Sequence, residues 1–306
     1  MSDVRKRMSP AGFFYAVSAG VLWGVGAVLA QYEFQTKGIS QMWLVPYRLL
    51  IGGAGLLLAF AIKNKGFGSA LQIWRDKKDW LRLLAFGIFG MLSMQFCYFT
   101  AIRYSNAATA TVFEYLSPAL MMCFYCVVRK HLSARRDVFA VILAITGILL
   151  IATHGEPGNL ELSVKGICWC LSCAFASSFH SILPIPLLSK YPAMVVSGWG
   201  MIIGGVVLSI AARPWYVPKE LDGEVVAAFA GIIVLGTFIP FVTYLLAVER
   251  IGAVYSGMLA SLELVSSTVL GRIFMGTRFQ IPDFAGFFLI LCMVFILALG
   301  GRGREK

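Results

Sequence analysis

Apolar residues in this chain come in long blocks, not in the strict alternation of a half-buried strand or the narrow stripe of a surface helix. Residues 8–32, 83–102, 138–155, 166–189, 191–212, 225–248 and 284–301 contain no Asp, Glu, Lys or Arg. Three further blocks, roughly 42–62, 105–128 and 251–274, are interrupted by charge at Arg48, Glu114 and Glu263. Each block is close to the ~20 residues a helix needs to cross a hydrocarbon core. The pattern therefore predicts an all-α membrane protein with ten transmembrane helices. A barrel is excluded because its strands would alternate apolar and polar residues. The connections are short, and no stretch is long and polar enough to form a soluble domain.

Composition agrees. The 306 residues are 59% hydrophobic and 13% charged, against roughly half and a quarter in soluble domains. The formal net charge of +11 could indicate a nucleic-acid partner, but its distribution does not. Basic residues cluster at Arg5, Lys6 and Arg7, at Lys63–Lys78, at Arg129–Arg136 and at Arg302–Lys306. With ten spans and the amino terminus in the cytoplasm, all of these clusters fall on the cytoplasmic side. This is the positive-inside pattern, so the excess charge records topology. The expectation is a multi-pass protein of the cell (inner) membrane with both termini cytoplasmic, its surroundings a lipid bilayer and not nucleic acid. The first block is too long for the apolar core of a signal peptide and lacks a small-x-small cleavage site, so it is read as a helix. All seven cysteines lie inside apolar blocks. "CWCLSC" at 168–173 has no His or carboxylate to complete a metal site, which predicts packing and neither metal nor cofactor.

The chain is written twice. A shift of about 146 residues lays "CYFTAIRYSNAATATVFEYL" over "TYLLAVERIGAVYSGMLASL", matching Tyr98 with Tyr244, Ala107 with Ala253 and Asp137 with Asp283. A shift of about 154 matches Gly12 with Gly166 and Ser18 with Ser172. Each half, 1–155 and 156–306, is thus read as one five-helix unit. An odd number of spans per unit inserts the second copy upside down, and such inverted repeats characterise secondary transporters that bind substrate near the midplane.

The doubled unit, "GVLWG" in the first span, "SNAATATVFEYLSPAL" in the fourth and "SLELVSSTVLGRIFMG" in the ninth resemble the EamA family of the drug/metabolite transporter superfamily. The resemblance covers essentially the whole chain. It implies a ten-helix carrier of small polar metabolites, such as amino acids or related compounds, often moved outward. Two departures stand out. Where the family often closes spans four and nine with Gly-Glu, this chain has Lys130–His131 and Gly276–Thr277, and a frequent Glu-Pro is Glu263–Leu264. No role is carried over to those places.

A carboxylate inside a bilayer costs at least ~2.5–3.5 kcal/mol and is therefore turned inward, paired, or set against water. Glu114 and Glu263 are such groups. In repeat coordinates they lie three residues apart, about one helical turn. Both are candidates to face a central cavity and bind a substrate ammonium or exchange a proton; a packed acid paired with Arg is the plain alternative. Tyr98 and its repeat mate Tyr244, Gln95, His180 and Trp23 complete the candidate substrate-binding set, each against the simpler reading of core packing. Arg48, in "PYRLL", is expected to snorkel or to pair with Glu33 or another acid, in preference to touching an anionic substrate. Pro118, Pro184, Pro186 and Pro240 are expected to interrupt spans four, six and eight. Ala16, Gly20 and Gly24, and Gly200 and Gly204, form small-residue stripes that permit close helix contact.

No phosphate-binding Gly-x-x-x-x-Gly-Lys-Ser/Thr loop occurs, nor His-Glu-x-x-His. The leading expectation is a carrier. A membrane-embedded enzyme and a channel or scaffold subunit are the alternatives, and a homodimer is an allowed assembly.

Overall fold

A computed structural model describes residues 9–129, 135–156 and 162–300. The readings of Arg5, Lys6, Arg7, Lys130, His131, Arg302, Arg304 and Lys306 lie outside these residues, as do the side chains of Cys126, Arg129, Asp137 and Ala298. Among the described residues there is no strand. Eight helical stretches are long and apolar enough to cross a membrane, and two shorter apolar helices, Val138–Thr153 and Ile281–Leu297, stand beside them.

In chain order the helices are α1 (Pro10–Gln31), α2 (Gln41–Lys63), α3 (Lys77–Ala85), α4 (Ser93–Tyr104), α5 (Ala107–Glu114), α6 (Ser117–Arg129), α7 (Arg135–Thr153), α8 (Val164–Ile182), α9 (Ala193–Ala212), α10 (Gly223–Ile233), α11 (Ile239–Ile251), α12 (Ala253–Ala260), α13 (Leu262–Met275) and α14 (Ile281–Gly300). Their starts are encoded locally. Ser9, Ser40, Asp76, Asn106, Ser163 and Asp222 each accept a backbone N–H as N-cap, satisfying donors that a helix leaves orphaned.

Several spans are not single α-helices. α3 passes into α4 through a π-helical segment, Phe86–Leu92, and α10 into α11 through another, Val234–Phe238. α5 breaks from α6 at Tyr115–Leu116, and α12 from α13 at Ser261. Tyr115 (φ −66°, ψ −2°) and Ser261 (φ −62°, ψ −9°) share a backbone conformation that shortens the turn and releases carbonyls from the ladder. A shift of 146 residues carries Tyr115 onto Ser261 and Ile88–Leu92 onto Val234–Phe238, so both kinds of irregularity recur at matching places.

Pro118, Pro184, Pro186 and Pro240 stand beside the interruptions of spans four, six and eight, whereas Pro46 lies inside α2. Pro118 is the second residue of α6, Pro240 the second of α11, and Pro184 and Pro186 flank the start of the short turn Ile185–Leu188. At Pro118 and Pro186 the missing N–H is no loss, whereas Pro240 continues a π-segment and leaves the Gly236 carbonyl four residues back without a ladder donor. The break at Ser261 has no proline; there the Ser261 hydroxyl donates to the Met258 carbonyl at 2.6 Å.

Small residues seat α1 at the centre. A Cβ on Gly20 would stand 2.6 Å from the Ala260 carbonyl oxygen, and one on Gly24 would stand 2.9 Å from that of Glu263. α1 thus lies directly on the break between α12 and α13. On α9, Gly200 meets the Phe86 ring and Gly204 the Gly87 carbonyl, so the second stripe grips the π-segment after α3.

Contacts gather the connections at two ends. At one, Arg103 donates to the Ile39 carbonyl and Gln41, Tyr47 donates to the Pro214 carbonyl, and Lys37 pairs with Asp222. At the other, Lys63 pairs with Glu249 and Lys190 with Asp79.

Candidate functional site

The two breaks meet at the centre of the molecule. Tyr115, in the first, donates its hydroxyl to the carbonyl of Ala260, immediately before the second (3.3 Å). That carbonyl is available because the helix ends there. Glu114 is the last residue of α5 and Glu263 the second of α13, so each acid sits beside a break.

Around them lies a cavity of about 750 Å³, within the usual size of a small-molecule site. All seven candidate binding residues, Trp23, Gln95, Tyr98, Glu114, His180, Tyr244 and Glu263, line it. Arg48 and Pro118 also reach its wall, whereas Pro240 is buried away from it in α11. Tyr98 donates to Glu263 Oε1 at 3.0 Å and lies 2.8 Å from Thr111 Oγ1, and Thr111 donates to the same oxygen at 3.4 Å. Ser177, from α8, donates to Glu114 Oε1 at 3.5 Å. Trp23 packs against Tyr244 and Phe241 with ring centroids 5.3 and 5.6 Å apart. The His180 ring tilts against Phe86 at 5.5 Å.

Arg48 holds a structural place, and of the courses foreseen for it snorkelling and pairing with Glu33 are not taken. It is 5% exposed and turned inward, so it does not snorkel. Glu33 is not its partner, since both Glu33 carboxylate oxygens are buried without a hydrogen bond. Arg48 Nε donates to Thr237 at 2.7 Å, Nη1 to Gln95 Oε1 at 2.6 Å and Nη2 to the Gly236 carbonyl at 3.1 Å, while the guanidinium lies 4.5 Å over the Phe99 ring. The π-segment after α10 supplies both Thr237 and the free Gly236 carbonyl. Arg48 is thus bound to neutral groups and fixes that segment to α2 and α4.

At the end holding residues 31–41 polar contacts tie neighbouring elements together. Gln31, 3% exposed, donates to Thr277 at 3.3 Å and accepts from the Ala107 N–H at 2.9 Å. Gln35 donates to the carbonyls of Ile102 and Ser105 at 3.0 and 2.8 Å. Lys37 reaches Asp222 at 2.8 Å and Glu224 at 2.6 Å. The bond from Lys37 holds the Asp222 carboxyl below its ordinary range, and the same bonds hold the Lys37 amine above its own. At the opposite end the lining runs out to the exposed residues Arg136, Ala253 and Val254.

Sequence reasoning passed over Thr111, Tyr115, Ser177 and Gln31. Thr111 lies one turn before Glu114, and Ser177 one turn before His180; helical spacing from the acids and His180 would have flagged them. Gln31 carried no such signal.

Compared with known proteins, the chain matches the model of the EamA-like transporter family over residues 10–153 and again over 164–299. The chain belongs to this family. It is a transporter with multiple membrane-spanning helices and not an enzyme. Similar relatives of this EamA-like transporter include YicL of Salmonella typhimurium, an uncharacterized inner membrane transporter, 32% identical over 96% of this chain and 97% of that one. An aromatic amino acid exporter, YddG of Ancylobacter novellus, is 26% identical over 60% of each chain. A solved protein crystal structure matches with a TM-score of 0.63 at 19% identity, covering 98% of this chain and all of the other, a likeness of fold alone.

Proposed function

We propose that this EamA-like protein is a secondary carrier that moves a small amphipathic metabolite, an amino acid or related compound, outward across the inner membrane by alternating access. In this reading ten spans form two inverted five-helix halves, 1–155 and 156–306, with both termini in the cytoplasm. The matching π-segments and helix breaks of the two halves support that arrangement, because inverted halves offer two equivalent ways of closing one central cavity. The relative named YddG supports export and an amino-acid-like solute, and YicL supports the inner membrane.

The observation that carries the reading is the cavity itself. It holds two membrane-embedded acids, is latched by Gln31 and Lys37 at one end, and runs to exposed residues at the other. We assign the latched end to the outside and the exposed end to the cytoplasm. Glu114 and Glu263 bind the solute's ammonium group and are the places where a proton could exchange with it. Breaking the outer latch while the inner ends converge would complete the cycle.

Counterflow in proteoliposomes tests this. A carrier loaded inside with unlabelled solute accelerates uptake of labelled solute, whereas a channel does not. Topology is tested separately with Arg135→Cys and Arg278→Cys, both exposed positions. An impermeant maleimide should reach them from opposite sides of the membrane, and labelling from the same side would reject the inverted arrangement.

A further inference from the structure

The cavity presents its charges unequally. Arg48 and Gln95 are 5% and 3% exposed, and three guanidinium nitrogens are already directed at Thr237, Gln95 and the Gly236 carbonyl. The cation belongs to the cavity wall but is almost wholly covered there, held by neutral protein groups. The two acids are only partly covered. Glu263 receives both of its protein hydrogen bonds on Oε1, and Glu114 receives one long bond from Ser177. Among the described residues no protein donor reaches Oε2 of either carboxylate, so each acid keeps an open acceptor, while Arg48 directs three of its five N–H donors at protein groups. The remaining cationic lining residue, Arg136, stands exposed at the open end, at the start of α7. Apolar groups make most of the sides, among them the Trp23, Phe241 and Tyr244 rings and the thioethers of Met94, Met121 and Met258.

We propose that the solute is an organic amine: a primary ammonium on an aromatic body, without a carboxylate. This rests on the carrier reading and narrows its solute. An ammonium offers three donors to acceptors that lack them, and the rings beside it attract a cation through their faces. A free amino acid would bring its carboxylate to a floor that already holds two acids and whose buried cation is engaged elsewhere. Like charges in a site of low dielectric repel strongly, and that repulsion rejects the zwitterion. Soft, polarisable methionines accept a flat ring without fixing its orientation tightly, which suits a solute that must leave again.

Tryptamine, tryptophan and indole-3-propionate share one body and differ only in charge, so they isolate this inference. Calorimetric titration of the full chain in detergent should give tryptamine at least about tenfold tighter binding than tryptophan, with indole-3-propionate weakest. Glu263→Gln and Glu114→Gln should each lose about tenfold or more for tryptamine and little for tryptophan. The wild-type ranking is decisive even where a variant fails to fold. Tryptophan binding as tightly as tryptamine, or no binding of tryptamine, overturns the proposal. Counterflow of the tightest binder separates this from the carrier reading. Tryptamine that binds without exchanging upholds the solute class and rejects the carrier; tryptophan that binds best and exchanges rejects the class and upholds the carrier.

Discussion

Tyr98 and Glu263 lie 165 residues apart and are joined by a 3.0 Å hydrogen bond from phenol to carboxylate. The bond links α4 to the first turn of α13, so it crosses between the two sequence repeats at the cavity floor. Thr111 leans on the same oxygen. Together they fix which oxygen of the Glu263 carboxylate is occupied.

Tyr98→Phe removes that donor and leaves Thr111 as the remaining one. A hydrogen bond to a charged group contributes ~1.5–3 kcal/mol, so the half-saturating concentration of tryptamine in counterflow should rise about 10- to 100-fold. Unaltered saturation would mean that the orientation of Glu263 is irrelevant to binding.

Arg48→Lys keeps the charge but not the geometry. A lysine ammonium cannot span Thr237, Gln95 and the Gly236 carbonyl with three directed donors. At least one buried group is then orphaned, at ~1–3 kcal/mol each. Heat denaturation in detergent should show a Tm several degrees lower, with Arg48→Gln lower still.

Gln31→Leu severs α1 from the Ala107 N–H and from Thr277 in one step. The latched end should open more often. With the native cysteines replaced, the rate at which an impermeant maleimide labels Ala108→Cys, buried in the closed state, should increase several-fold. An unchanged rate would show that this glutamine does not hold the gate.

Gly20→Ala places a methyl 2.6 Å from the Ala260 carbonyl oxygen, which belongs to backbone and cannot rotate away. Overpacking of this kind costs about 1–3 kcal/mol. α1 must shift off the break, carrying Trp23 away from Tyr244, and a change in indole fluorescence should accompany the loss of stability.

Acid should leave the Lys37 latch intact over an unusually wide range. Asp222 titrates below its ordinary value because Lys37 bonds its charged form. The contribution of the pair is therefore full above the unfolded Asp value of about 4 and is lost only as the pH falls through the lower folded value. Maleimide labelling of Ala108→Cys should stay slow from neutral pH down to about 5, and Asp222→Asn should raise it at neutral pH.

Much of this protein is written locally. Blocks of apolar residues near twenty long admit only helices in lipid, because no other open segment satisfies its own backbone there. Caps such as Ser9, Asn106 and Asp222 mark the starts, and the isolated acids Glu114 and Glu263 announce themselves because burying a charge is costly. The repeat is equally legible, since Tyr98 and Tyr244 or Ala107 and Ala253 match at a fixed shift.

Tertiary structure decided what those groups meet. No local pattern distinguishes an arginine that snorkels from one that Thr237, Gln95 and a π-segment carbonyl hold inside, because its partners lie 47 to 189 residues away. The break at Ser261 has no proline to betray it, and Gln31 joins its partners only because two distant elements, the start of α5 and the residues after α13, converge on its amide. Spacing along a chain fixes which side chains share a helix face. Only packing between helices fixes which faces meet.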